Sequence, residues 1–219
     1  MSDFLDVLSQ RHAVHQFDPT ASITRSEIET LVQEASQAPS SLNLQHWRFV
    51  AITDPRIRAQ LSTTTIQPNR QRVVDASVIF VILGDLEAHR SLSEILEQAV
   101  RAGTLTRELA DLRVSTANQL YEGEPHVARE EAVRSVSLAA MVLMLAACNH
   151  GFASCPIGFD PNRLQQVLRI SDRYTPLMMI AVGRDASSNR RRRPRLPVSH
   201  ILSFNEFTEF KADKAEVIP

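Results

Sequence analysis

Glycine, cysteine and lysine are scarce in this chain, and each shortage removes a class of function. Six glycines among 219 residues leave no Gly-x-Gly-x-x-Gly turn for a dinucleotide and no phosphate-cradling P-loop. The Gly-x-Ser-x-Gly elbow of serine hydrolases is absent too. Two cysteines, Cys148 and Cys155, cannot form a disulfide framework. With His150 they invite a metal reading, but Cys148 ends an apolar helix and no fourth ligand is close in sequence. A buried structural cysteine is the reading we adopt, with no metal expected. The lysines are Lys211 and Lys214, so nearly all positive charge is arginine, always ionised and shaped to clasp oxyanions. Formal net charge is −1 and the isoelectric point about 6.7, so no overall field favours nucleic acid or an anionic membrane. The arginine run at residues 190–193 lacks the wider basic surface that counterion release needs. The longest apolar run, residues 138–148, is too short to span a bilayer, and no basic–apolar–small signal pattern opens the sequence. We expect a cytoplasmic protein with no nucleic-acid and no membrane partner.

What is present is an ordinary globular composition, 43 % hydrophobic and 22 % charged, enough to build a core. A short helix is expected over residues 2–10 with Ser2 as its cap. A second starts at Thr24, with Glu27 completing a capping box, and stops before Pro39. Residues 48–53 read as a strand broken by Asp54-Pro55. Residues 76–83 are apolar almost throughout and read as a strand buried on both faces. Helical sequence follows over about 87–120, weakest at Gly103. The longest helix is expected over about 126–149, apolar all round in its second half, with Gly151 as a left-handed cap. Asp160-Pro161 starts another helix, and residues 177–183 form a second apolar strand. Helices and strands mix without regular alternation, which predicts one α+β domain over 1–219, residues 198–219 being a C-terminal extension. Phe204, Phe207 and Phe210 recur every third residue there. Either a helix-like arm packs on another subunit, or the tail packs on its own domain.

Four polar segments share one theme. Residues 11–15 bring Arg11, His12 and His15 to the end of a helix. Residues 39–47 place hydroxyls and amides, Ser40, Ser41, Asn43 and Gln45, before a strand. Asn69 and Arg72 precede the buried strand, and Arg193-Pro194-Arg195 follows the other apolar strand. Singly each is a solvated loop; together they predict an anionic, hydrogen-bonding ligand at the strand ends.

In order and content these segments resemble the FMN-dependent nitroreductase family over about residues 4–197. Arg11-His12-Ala13-Val14-His15-Gln16-Phe17 is similar to the family's Arg-x-Ser-x-Arg/Lys-x-Phe signature. Residues 38–49, with Pro39-Ser40-Ser41-Leu42-Asn43-Leu44-Gln45-His46-Trp47, resemble its Ala-Pro-Ser-x-x-Asn-x-Gln-Pro-Trp-x-Phe segment. The Pro156-Ile157-Gly158 turn and the Arg193-x-Arg195 pair complete the set.

The resemblance implies a nitroreductase-like fold, with a central mixed β-sheet flanked by helices in an intertwined homodimer. It implies FMN as cofactor and NADH or NADPH as transient hydride donor, reducing a nitroaromatic, quinone or similar small-molecule acceptor in a ping-pong cycle. Arg11, His12, Arg193 and Arg195 would hold the flavin phosphate, with Ala13 and His15 beside them. Pro39, Ser40, Ser41 and Asn43 would reach the flavin from the partner subunit. Asn69 and Arg72 would meet its pyrimidine edge, and the backbone of Pro156, Ile157 and Gly158 would pass its reactive nitrogen. No side chain is assigned as a catalytic acid or base, since the flavin carries the hard step. Three departures stand out. Ala13 replaces serine, His15 replaces a fixed cation, so its charge depends on its surroundings, and the turn at Pro156 is shorter. His46 in place of proline reads as a local loop change. The alternatives are a specialised flavin enzyme, performing flavin fragmentation, dehalogenation or azoline oxidation, or a non-catalytic flavin- or polyanion-binding protein.

Overall fold

The structure, a computed structural model, describes residues 3–186 and 193–209. The chain divides into two units, residues 1–188 and 189–219. Ser2, the arginines at 190–192 and Phe210 lie outside the described residues.

The first unit is built on a four-stranded sheet in the order β1-β2-β4-β3, from β1 (Trp47–Ile52), β2 (Val78–Asp85), β3 (Ala153–Pro156) and β4 (Tyr174–Gly183). All three pairings are antiparallel. The mixed character expected of the sheet is confined to one parallel bridge, between Ala13 and Ser154. Every residue of β2 is buried, as its unbroken apolar run predicts. Alternate side chains sort to opposite faces, as the two-residue strand period requires. Val78, Phe80 and Ile82 join the core on one face, while Ile79, Val81 and Leu83 join that on the other.

Helices α2 (Arg25–Ala35) and α7 (Pro125–Asn149) cover the first face. The capping box of α2 is present: the Thr24 hydroxyl accepts from the Glu27 amide, and the Glu27 carboxylate accepts from the Thr24 amide at 2.7 Å. By length and composition α7 could cross a membrane, but half of its most apolar stretch is buried and it packs on α2 and all four strands. Close approach fixes one glycine. A Cβ at Gly84 would lie 2.6 Å from Leu177 and 2.9 Å from the Ala132 methyl of α7. Helix α7 ends as expected, with Gly151 at φ 74°.

The second face carries α3 (Pro55–Ser62), α4 (Gln67–Asp75) and α8 (Pro161–Leu168), with Val14 and Phe17 from the segment after α1 (Phe4–Gln10). Two short helices, α5 (Leu92–Arg101) and α6 (Arg107–Gly123), flank the predicted break, where Gly103 has φ 69°. With the loop before β1 they form a third cluster around Leu44, Leu92 and Tyr121. Among the described residues of the second unit, the one helical turn is Val198–His200. Phe204 and Phe207 are 81 % and 83 % exposed and not helical.

Candidate functional site

Residues 11–15 leave α1 as an extended strip beside the sheet's β3 edge, where the Val14 amide donates to the Ser154 carbonyl at 3.1 Å. The strip divides the predicted cations between two places. Arg11 and His12 line a cleft of about 240 Å³, shared with Cys148, Ser154 and Asp185. His12 Nδ1 donates to the Gln10 carbonyl at 2.8 Å, and its Nε2 stands 4.0 Å from the Asp185 carboxylate. The Arg11 Nε is buried without a hydrogen-bond partner.

His15 faces α4 instead. One Arg72 nitrogen donates to His15 Nδ1, and the other donates to Asn69 Oδ1 at 2.6 Å. A guanidinium only donates, so His15 Nδ1 is the acceptor in this contact. Burial raises the Cys155 thiol above its ordinary value, while the nearby charge of Arg72 opposes that shift. Arg72 therefore sits against β3, just before Pro156, and its own Nε is buried and unpartnered. Ile157 is buried and donates its amide to Met179, whereas Pro156 and Gly158 are exposed. A Cβ at Gly158 would meet nothing within 4 Å, so space lies open beside the turn.

The segment around Ser40 and Asn43 lies elsewhere. It precedes Trp47, which pairs with Gly84 near the end of β2, on the β1 edge. Ser154 aligns through Val182 with Val78 at the start of β2, on the β3 edge. Three strand spacings and six residues of rise put these anchors on the order of 25 Å apart. The loop holds three non-glycine residues in the left-handed region, Leu42, Asn43 and Gln45, with φ of 51°, 55° and 49°. Conformations of that kind persist only when their surroundings over-determine them.

Arg193 and Arg195 belong to the second unit. Both are exposed, and Arg195 donates to the carbonyls of Arg193 and Pro194 at 3.0 and 3.4 Å. The cysteine–histidine set does not converge. Cys148 contacts the Val7 carbonyl, Cys155 the Pro156 carbonyl, and His150 pairs with Glu34 at 2.8 Å.

The Nitroreductase family profile matches residues 8–184. The chain belongs to the nitroreductase family. It is 35 % identical to YodC of Bacillus subtilis, which carries the provisional name NAD(P)H nitroreductase, over 93 % of this chain and all of YodC. It is 34 % identical to a CLA biosynthesis enone reductase of Lactiplantibacillus plantarum, over 84 % of this chain and 87 % of that one. Its fold is similar to that of an Exiguobacterium sibiricum protein solved in complex with FMN. That match has TM-score 0.84 and 28 % identity, and covers 93 % of this chain and 98 % of the other.

Within this nitroreductase-family chain, the structure brings His15, Asn69, Arg72 and the Pro156–Gly158 turn together along one sheet edge. It keeps residues 39–43 away from them. Two buried polar groups escaped the sequence. Asp85 has no exposure and accepts from Arg48 at 3.0 Å and from Arg173 at 2.8 and 2.9 Å. His46, expected to be a local loop change, is also fully buried. Its Nε2 lies 3.1 Å from the Tyr121 hydroxyl and its Nδ1 3.1 Å from the Ser135 hydroxyl. The proline of the family signature gives no hint of either contact.

Burial pushes the His46 imidazole down from 6.5 to about 4; Glu131 and Asp85 resist that shift, while Arg48 and His89 add to it. Between these two values the unfolded chain holds a proton that the folded chain does not, so stability rises with pH across that window. A shift of this size corresponds to about 3 kcal/mol. Urea unfolding from pH 4 to 7 is therefore expected to show stability falling below about pH 6.5, and His46→Gln should flatten that slope. An equal slope in the variant would remove His46 as its source.

Proposed function

We propose that the chain is an FMN-dependent oxidoreductase that takes a hydride from NADH or NADPH and delivers it to a small oxidised acceptor, a nitroaromatic, quinone or enone. The observation that carries this reading is the Asn69–Arg72–His15 cluster beside the open Pro156–Gly158 turn. It puts a fixed cation, with one buried nitrogen still unpartnered, at the residues the family signature assigns to the flavin ring. The orphaned Nε of Arg11 fits a phosphate, for which arginine forks are suited. FMN, when bound, supplies reversible hydride acceptance, and the protein supplies orientation and electrostatics.

Arg72 would stabilise negative charge on the reduced ring. Asn69 and His15 hold its guanidinium in place, which spares the cost of organising it during reaction. Gly158 would leave the backbone open to close approach. Asp185, facing His12, limits the negative charge that the Arg11–His12 cleft tolerates, so within the first unit the phosphate contact is assigned to Arg11.

Residues 39–43 and Arg72 lie off opposite edges of the sheet, too far apart to share one small ligand within a chain. This supports a homodimer in which each subunit lends its 39–43 loop to the other's flavin. Leu138 on α7, and Phe4 and Leu5 on α1, are exposed apolar residues available to such an interface. A cytoplasmic location accords with this assignment.

The test is a visible spectrum of the purified protein, before and after NADH or NADPH is added without oxygen. A flavin band that bleaches is expected. No band even after incubation with FMN would end the proposal.

A further inference from the structure

We propose that Arg48 is a positioning residue for the 39–43 loop. Seated on the buried Asp85 carboxylate, it holds Gln45 in a strained conformation that sets where Ser40 and Asn43 stand. The consequence for a ligand rests on the reading that this loop meets FMN.

The need for a hold is local. Leu42, Asn43 and Gln45 have φ of 51°, 55° and 49°, the left-handed region in which Cβ crowds the carbonyl oxygen. Residues Ser41–Asn43 make a single 3-10 turn, closed by the Asn43 amide on the Ser40 carbonyl at 3.1 Å and the Leu44 amide on the Ser41 carbonyl at 3.0 Å. One turn by itself is a poor stabiliser of backbone conformation. Gln45 is instead clamped at both ends of the residue. Its amide donates to Ser40 Oγ at 2.9 Å, and its carbonyl accepts from Arg48 at 2.9 Å. Its side chain donates to the Asn43 carbonyl at 3.2 Å. The clamped residue thus bonds to both Ser40 and Asn43.

Arg48 makes a firm post because of the other half of its fork. One terminal nitrogen donates to the Gln45 and Trp47 carbonyls at 2.9 and 2.8 Å, and the other donates to Asp85 at 3.0 Å. Asp85 has no exposure and is fixed in turn by Arg173, at 2.8 and 2.9 Å, and by the Glu87 amide at 3.0 Å. Its own amide closes the circuit on the His46 carbonyl at 2.7 Å. A guanidinium is planar and rigid, so fixing one arm aims the other; a lysine ammonium on its flexible stem has no such fork. A loop held ready spares the ordering cost of binding. Once the hold is lost, only the molecules with the loop in place bind, and the apparent dissociation constant rises by the reciprocal of their fraction.

The experiment reads the FMN dissociation constant by fluorescence titration, with hydrogen exchange at the Gln45 amide and thermal midpoints measured alongside. Arg48→Ala is expected to weaken FMN binding roughly tenfold, the scale of one hydrogen bond to a charged group. It should also speed exchange at Gln45 while leaving the β2 amides unchanged. Gln45→Gly adopts positive φ without strain, so it should recover about threefold of the loss in Arg48→Ala yet change little in the unaltered protein. A merely structural arginine would lower the midpoint, and glycine would restore nothing. An Arg48→Ala protein that binds FMN as the unaltered protein does, or a loss that glycine does not reduce, overturns the proposal. If Arg48→Ala does not fold, Arg48→Lys, which keeps a charge for Asp85, takes its place and the same two outcomes decide. If the unaltered protein fails to bind FMN, the flavin reading has failed, and exchange at Gln45 decides on the hold alone. A Gln45 exchange rate unchanged by either Arg48 variant then overturns it.

Discussion

Replacing Asp85 with alanine is expected to destabilise the protein by about 3 kcal/mol, near the lower end of what removing one partner of a buried ion pair costs. The carboxylate has no exposure and serves two cations, Arg173 through two hydrogen bonds and Arg48 through one. Without it, Arg48 would lose its counter-charge and Arg173 would keep only the Glu87 carboxylate, 3.8 Å away. The side chains of Arg48 and Arg173 keep 42 % and 38 % exposure, so water recovers part of the loss. Burial alone would raise the Asp85 carboxyl. The Arg173 hydrogen bond, the Glu87 amide and the charges of Arg173 and Arg48 outweigh it and hold the group below its ordinary 3.8. The stabilisation is thus complete above that ordinary value and disappears as pH falls through the lower, folded one. Urea unfolding of Asp85→Ala at neutral pH reads the effect; a change below about 1 kcal/mol would mean that the two arginines are satisfied without it. The damage should reach the 39–43 loop as well. Arg48 also donates to the Gln45 and Trp47 carbonyls, and the Asp85 amide donates to the His46 carbonyl at 2.7 Å.

The role of Asp85 was not legible in the sequence, and the reason is physical. Periodicity and caps report on a segment's own neighbours, so β2, α7, the Thr24 capping box and the Gly103 break could all be read. Asp54-Pro55 was treated as a strand breaker, yet it starts α3, with Asp54 accepting from the Arg56 amide at 2.7 Å. The same Asp-Pro signal was recognised at Asp160-Pro161. Helix α4 is largely polar (Gln67, Asn69, Arg70, Gln71 and Arg72), so it shows no apolar stripe. Strand β3 has four residues, too few for a pattern. The cap of α1 falls on Asp3, which makes no side-chain capping bond, so the apolar spacing of Phe4, Leu5, Val7 and Leu8 has to define that helix. Candidate site residues come from motif, but their grouping does not. His15 meets Arg72 across 57 positions of sequence, and His46 meets Ser135 across 89. Such pairings depend on how the sheet folds back, which one chain read linearly does not encode.

The Arg72 cluster gives the second large effect. Arg72→Ala is expected to lower kcat/KM for nicotinamide-driven reduction of a quinone by about 10²–10³-fold, the scale of removing one preorganised electrostatic donor. Arg72 is held on two sides, by Asn69 Oδ1 and His15 Nδ1, and lies close to the Cys155 thiol. Its charge is therefore already in place when negative charge develops on a ligand beside the Pro156–Gly158 turn. Without that charge a bound flavin should be harder to reduce, so its midpoint potential should fall, and the step driven by NADH or NADPH should slow more than the step that reduces the acceptor. Arg72→Lys keeps a cation but loses the fork that grips both Asn69 and His15, so it should lie between the alanine variant and the unaltered protein. Anaerobic stopped-flow measurement of flavin bleaching separates the two half-reactions, and the thermal midpoint reports any loss of fold. A bleaching rate within twofold of the unaltered protein in Arg72→Ala, with the fold intact, would move the electrostatic role away from this cluster. In that case Arg72 would be a tie between α4 and the residues 11–15 strip, and the charge acting on the ring would have to come from another residue.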